Sequence, residues 1–189
     1  MKDSRSLTSR MIRAAKLEVN LYEEVEADST ATSQALIAVI VVSLASGIGT
    51  GIAGLGAMGG LGFFWGLLIG LAASLAGWLA WAYLSYILGT TIFKGPKTSA
   101  TWGELLRTIG FAHSPGVLRI FSFVPFIGGV ITFGASIWFL IAGVIGVRQA
   151  LDFSTGRAIA TCIVGWLIYM VLVFLVQFLL LRLGATAFF

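Results

Sequence analysis

The sequence predicts an all-α integral membrane protein: a five-transmembrane-helix bundle with an N-terminal amphipathic cytoplasmic helix. Two observations carry this. Only 11% of the 189 residues are charged and 58% are hydrophobic, with a mean hydropathy of +0.99, whereas soluble domains carry about 25% charge. From Ala35 to Phe93, 59 residues, there is no Lys, Arg, Asp, Glu or His, and about 20 apolar residues suffice to cross a hydrocarbon layer. A buried soluble helix pair would need a large polar shell, and the chain has none.

Residues 1–33 form the one extended polar segment. Drawn as a helix from Leu7 to Val25, they place Leu7, Met11, Ala14, Leu21, Tyr22 and Val25 on one broad face. Arg13, Lys16, Asn20 and Glu24 lie on the other, and Glu18 and Glu26 interrupt the apolar side. A basic half (Lys2, Arg5, Arg10, Arg13, Lys16) precedes an acidic half (Glu18, Glu23, Glu24, Glu26, Asp28). The basic half could rest on anionic headgroups, each cation there contributing about 1 kcal/mol. It could equally be a solvated helix leading into the first span. The first apolar run starts after about 34 residues, so no cleavable signal peptide of the usual kind is expected.

Residues 34–189 are the expected transmembrane domain. One helix through Ala35–Phe93 would be about 88 Å long, so the run must hold two spans, about 34–54 and 61–90. The reversal falls in GLGAMGGLG, Gly54–Gly62, where glycine permits a tight turn. Gly54–Gly59 also matches G-x-G-x-x-G, but the strand and acidic residue that a dinucleotide site needs are missing. In span two Gly62, Gly66, Gly70 and Ser74 recur every four residues, a small-residue ridge expected to receive another helix of the same chain, ahead of an oligomer interface. Trp78, Trp81, Tyr83 and Tyr86 read as an interfacial aromatic belt. Lys94–Trp102 is a loop by composition. Cys162, the single cysteine, sits in an apolar run and excludes an internal disulfide; it reads as a small packing residue.

The stretch from Thr101 to Ile120, TWGELLRTIGFAHSPGVLRI, is polar for its position. Thr101 with Glu104 three residues on fits a capping box that opens a short amphipathic helix. Further on, Pro125 removes a backbone donor, and Gly128 and Gly129 favour a turn. A reversal there makes 130–148 a span of its own and draws 111–127 into the membrane as the third, with 157–183 as the fifth. With the N-terminus inside, only Arg182 of the 12 basic residues then falls outside. A four-span chain also obeys the positive-inside rule, and the Pro-Gly-Gly break favours five. Glu104, Arg107, His113, Arg119, Arg148, Asp152 and Arg157 are expected either to gather in a cytoplasmic-side polar cluster or to be ordinary flanking charges. Arg119 must snorkel or find a partner, and Glu104 and Asp152 are the acids on that side.

TWGELLRTIGFAHSP, VPFIGG, IWFLIAGVIGVRQALDFSTGRAIA and the N-terminal LYEEVEADSTATSQA resemble the Yip-one (Ypt-interacting protein) domain family in its prokaryotic branch, over about residues 10–183. The resemblance implies five transmembrane helices with a cytoplasmic N-terminus, in the inner membrane of a prokaryote. Eukaryotic members act in vesicle traffic and contact prenylated Rab-type GTPases, often in complexes with related proteins. Their Asp-Leu-Tyr-Gly-Pro motif is absent here and the N-terminal segment is shorter, so Rab-type GTPase binding does not carry over.

The residue inventory argues against catalysis. One His and one Cys build no Cys/His metal site, and neither H-E-x-x-H nor G-x-S-x-G occurs. No cofactor or metal is expected. The net charge of +4 follows membrane topology better than a nucleic-acid partner. The leading expectation is a membrane scaffold or adaptor that binds other membrane proteins, as a homo- or hetero-oligomer, or organises the lipid bilayer. The alternative is a small transporter or channel subunit, for which the spans offer Ser43, Ser46, Ser74, Thr132, Ser136, Thr161 and Gln177, with Arg119, as polar groups at depth.

Overall fold

The structure, a computed structural model, describes residues 5–182, apart from the side chains of residues 55–58, 180 and 181. Lys2 and the expected end of the last span at residue 183 lie outside the described residues. The described chain is helical, with four helices long and apolar enough to cross a membrane.

The N-terminal segment is two helices rather than one. Helix α1 (Leu7–Ala15) and helix α2 (Val19–Ala27) are separated at Leu17, whose φ is 61°. That left-handed residue folds α2 back beside α1, so the expected continuous helix from Leu7 to Val25 does not form. The apolar pattern nevertheless holds. Ala14, Leu21, Tyr22 and Val25 are fully buried in the core, with Leu7 and Met11 packed against it.

Two cations of the basic half, Arg10 and Arg13, are engaged by acids of the hairpin. Arg10, 1% exposed, donates from Nε to Glu24, from Nη1 to Gln34 and from Nη2 to Asp28, at 3.0, 3.1 and 2.7 Å. Arg13 pairs with Glu18 and Glu24. Burial works to raise the Glu24 carboxyl, but hydrogen bonds from Arg13 and Arg10 outweigh it and lower its pKa.

One helical stretch, Ala31–Thr90, is interrupted at Gly59, where φ is 62° and ψ 175°. Its halves are helix α3 (Ala31–Gly54) and helix α4 (Gly59–Thr90). A left-handed φ suits glycine, which lacks a Cβ. The two run antiparallel: Leu67 lies against Gly47 and Phe63 against Gly51.

Helix α5 (Trp102–Ala112) opens on the expected capping box, with Thr101 and Glu104 each accepting from the other's backbone N–H. It stops at Ala112, three residues before Pro115, which has no N–H to continue the ladder. A 3-10 helix over Ser114–Phe123 carries the chain onward. This α5/3-10 segment runs beside α3 in the same direction. Gly110 lies against Ala35, Gly116 against Val42, and Gly49 against the carbonyls of Arg119 and Ile120.

The chain reverses at Pro125–Ile127. Helix α6 (Gly128–Ala150) begins directly, with Gly128 so close to the backbone of Ser122 that a Cβ would overlap it. Gly129 has open space where its Cβ would be. Helix α7 (Thr155–Arg182) follows a tight turn. The five segments thus alternate in direction, and the third is part α-helix and part 3-10 helix. The bundle has a proximal end, with the α4–α5 and α6–α7 loops, and a distal end, with the turns at Gly59 and Pro125.

The N-terminal hairpin docks on α5 and α6. Arg107 donates from Nε to the Val25 carbonyl at 2.8 Å and from Nη2 to the Glu26 carbonyl. Trp138 Nε1 donates to the Ala15 carbonyl at 2.8 Å, and Gln149 Nε2 to Glu23 at 2.7 Å. The Arg107 and Trp138 bonds satisfy carbonyls at the ends of α1 and α2.

Among the described residues no other helix packs along the whole glycine ridge of α4. Gly66 and Gly70 are exposed, with nothing within 4 Å of where a Cβ would stand. Gly62 is half-buried, and Ser74 faces a cavity. Cys162 is buried in the core.

A polar cavity as the candidate functional site

A half-enclosed cavity of about 630 Å³ lies between α3, α4, α6, α7 and the 3-10 helix. Its polar lining comes from all five. Helix α3 supplies Ser43 and Ser46, and α4 supplies Ser74 and Trp81. The third segment supplies His113 and Arg119, α6 supplies Ser136, and α7 supplies Tyr169.

Local structure explains each placement. Ser43 and Ser46 are three residues apart on one face of α3, and Ser74, Gly77, Trp78 and Trp81 share one face of α4. A 3-10 helix has three residues per turn, so Gly116, Arg119 and Ser122 fall on one edge. Gly116 packs on Val42, Ser122 stands against Gly49, and Arg119 between them lines the cavity. Small residues on α4 leave the volume open.

Arg119 is the charged centre. Its Nη2 donates to Ser136 Oγ at 3.0 Å, and the Ser136 hydroxyl in turn donates a hydrogen bond to the Thr132 carbonyl at 2.8 Å. The Nε–H of Arg119 is buried without an acceptor, as is the indole N–H of Trp81. Every Asp and Glu in the chain lies before residue 29 or at positions 104 and 152, and among the described residues none forms an ion pair with Arg119. His113 Nδ1 lies 2.8 Å from the Ile109 carbonyl. A carbonyl only accepts, so Nδ1 carries the proton and Nε2 is left as the second polar atom of the ring. The ring stacks at a tilt on Phe139, 4.6 Å between centroids.

The seven residues expected in one cytoplasmic-side cluster are divided among several sites. Glu104 caps α5, and Arg107 holds the N-terminal hairpin. His113 and Arg119 line the cavity. Arg148 donates to Gln149 at 2.9 Å and shares a shallow proximal depression with Asp152 and Lys97. Arg157 lies beside Gly95 in the α4–α5 loop. Arg119 is also displaced from the proximal end. Its partner Ser136 is eight residues from the start of α6 and fourteen from its end, about 12 and 21 Å at 1.5 Å per residue. The separation follows from the 3-10 helix, whose rise of about 2 Å per residue carries Arg119 away from Glu104 and Asp152.

Two further expectations change. Trp78 is buried and donates to the Leu106 carbonyl at 3.1 Å, and Trp81 packs on Phe139 and lines the cavity, so neither belongs to an interfacial belt. Gln177 is exposed on α7, away from the cavity lining.

At the proximal end, burial pushes the Glu26 carboxyl up to about 7, reinforced by Glu104, Asp152 and Glu23 and opposed by Arg107. Hydrogen bonds from Thr30 and then Arg10 hold Asp28 down at about 2. No group of three or more His, Cys, Asp and Glu arranged to hold a metal ion occurs among the described residues.

The architecture has a family counterpart. A family model for the Yip1 domain matches residues 20–177. The chain belongs to the Yip1 domain family. The match begins inside α2 and ends within α7, so it takes in every cavity-lining residue. Neither a curated protein nor a solved structure matches the chain at a significant level. This Yip1-domain chain is a multi-pass membrane protein, with its four long apolar helices joined by a shorter α5/3-10 segment.

Proposed function

We propose that the chain is a non-catalytic membrane scaffold that binds other membrane proteins through helix-to-helix contact. The observation that carries this is the outer face of α4. Gly66 and Gly70 stand open between exposed Phe64, Trp65 and Ile69. In a bilayer, helices associate by close backbone approach at small residues rather than by burial from water. A glycine face left open by its own bundle is suited to a helix of another molecule, a second copy being the simplest partner.

In this reading the chain crosses the membrane five times, with a cytoplasmic N-terminus. The α5/3-10 segment, about 36 Å long at the two rises, is sufficient for the third crossing. The N-in orientation rests on the distribution of Lys and Arg, and the inner membrane of a prokaryote is the compartment that the sequence resemblance implies.

Energy transfer between labelled copies in liposomes, followed as lipid dilutes the protein, tests the interface. Gly66→Leu with Gly70→Leu should weaken association at least tenfold while leaving the thermal transition of the bundle in place. Association unchanged by the double variant removes α4 as the contact. The alternative, a small transporter or channel subunit, draws support from the cavity. Solute flux through proteoliposomes that depends on Arg119 would favour it over the scaffold.

A further inference from the structure

We propose that the cavity binds the phosphate headgroup of a membrane lipid, with Arg119 as its anchor. The site lies inside the bundle, separate from the α4 face, so it stands or falls independently of the scaffold reading.

A guanidinium away from water is costly unless an anion or several acceptors satisfy it. Arg119 has one protein acceptor, the Ser136 hydroxyl. Its Nε–H is buried with no acceptor. The chain has no Asp or Glu between residues 29 and 103, or between 105 and 151, so α3, α4, α6 and the 3-10 helix offer no counter-charge. Among the described residues no acid pairs with Arg119, so its open donor points to an anion from outside the chain. In a guanidinium Nε–H and one Nη2 proton share an edge, the planar fork that arginine presents to oxyanions.

Phosphate fits this lining better than carboxylate does. A carboxylate brings two oxygens in one plane. A lipid phosphate brings oxygens in tetrahedral array, and the walls around Arg119 carry hydroxyls on separate elements: Ser46 on α3, Ser74 on α4, Ser136 on α6 and Tyr169 on α7. Beside these and Ser43, His113 and Trp81, the rest of the wall is largely apolar, with Trp166, Phe139 and Leu140 among it. A volume of about 630 Å³ accommodates a headgroup and the start of an acyl chain, within the usual range for small-molecule sites. An apolar wall beside a cationic anchor matches an amphiphile. Inorganic phosphate shares the anchor chemistry alone.

Native mass spectrometry of the full chain released from nanodiscs tests this. The discs contain phosphatidylcholine alone, phosphatidylcholine with phosphatidic acid, or phosphatidylcholine with added inorganic phosphate. The expected result is one retained phosphatidic acid per chain, preferred at least tenfold over phosphatidylcholine and not displaced by millimolar phosphate. Displacement by inorganic phosphate would keep the phosphate site and make free phosphate its source. Arg119→Met should abolish the adduct, and Arg119→Lys, which keeps the charge and loses the fork, should weaken it severalfold. Ser74→Leu leaves Arg119 intact and fills the cavity; it should also abolish the adduct, which protects the test against an Arg119 variant that fails to fold. Equal retention of both lipids, or an adduct that survives in both Arg119→Met and Ser74→Leu, overturns the proposal.

Discussion

Arg10 and Arg119 each hold donor groups away from water, and their surroundings differ. Arg10 in the N-terminal hairpin is enclosed by Glu24, Asp28 and Gln34, and its Nε, Nη1 and Nη2 each donate to an acceptor. Arg119 in the bundle has one hydroxyl and an orphaned Nε–H. A network with every donor satisfied specifies a fold, because each partner has one place to go. A charge left short of acceptors costs stability and persists where something else uses it. The contrast teaches that the hairpin arginine holds the chain to itself, whereas the bundle arginine awaits an anion.

The largest effect that would break this comparison is removal of the hairpin arginine. Arg10→Met leaves Asp28 without its cation and Glu24 with Arg13 alone, and should destabilise hairpin docking by about 3 kcal/mol, the lower end for a broken buried pair, since the carboxylates are partly hydrated. Hydrogen exchange across α1 and α2 should rise accordingly. Exchange at the wild-type rate would show that the network is incidental.

A second variant makes the cavity resemble the hairpin. Ser136→Asp places a carboxylate within reach of Arg119. It should raise the thermal transition and expel any phosphate-bearing lipid from the site. Lipid retained by this variant at the wild-type level would mean that the guanidinium is not what holds it.

The acids of the hairpin respond to pH in opposite senses. Glu26 has its carboxyl raised from 4.5 to about 7, so the docked state holds its proton more tightly than the free segment does. Docking is therefore strongest below pH 4.5 with respect to this group and weakens as pH rises towards 7. Asp28, lowered from 3.8 to about 2, adds stability above pH 4 that is lost as pH falls towards 2. Protease resistance of residues 5–30 should decline between pH 5 and pH 7.5 in the wild type and stay level in Glu26→Gln. An identical decline in both would assign the effect to another group.

The smallest effect is expected at Arg13, whose side chain is 22% exposed beside Glu18 and Glu24. Arg13→Ala should cost about 0.5–1 kcal/mol, as partly exposed pairs do. A loss as large as that of Arg10→Met would erase the distinction between a buried and a solvated pair.

Much of the fold is legible in the residue order. The uncharged run from Ala35 to Phe93, the glycines around the first reversal, the Thr101–Glu104 cap and the turn after Pro125 each act over a few neighbouring residues. The apolar positions of the N-terminal segment are legible too, although the left-handed turn at Leu17 is not, because leucine carries no local preference for it. The site is less legible. Ser43, Ser46, Ser74, Ser136 and Arg119 can be counted as polar groups at depth, but nothing in their spacing says that they share one cavity. The face pattern Ser74, Gly77, Trp78 and Trp81 is the nearest local signal. The seven-residue cluster fails for the related reason that nearness in sequence to loop charges does not measure depth along a segment that changes from α to 3-10 pitch.

By itself the sequence determined that the chain belongs in a membrane, how its apolar runs divide, and that every acid lies outside those runs. These are properties of composition and local backbone chemistry, the same in any packing. Only the tertiary structure decided that Arg10 closes on its own acids while Arg119 faces a cavity without one, and that Gly66 and Gly70 are left open. Those outcomes depend on which helix faces meet and at what pitch, and that is settled by contacts between residues far apart in the chain.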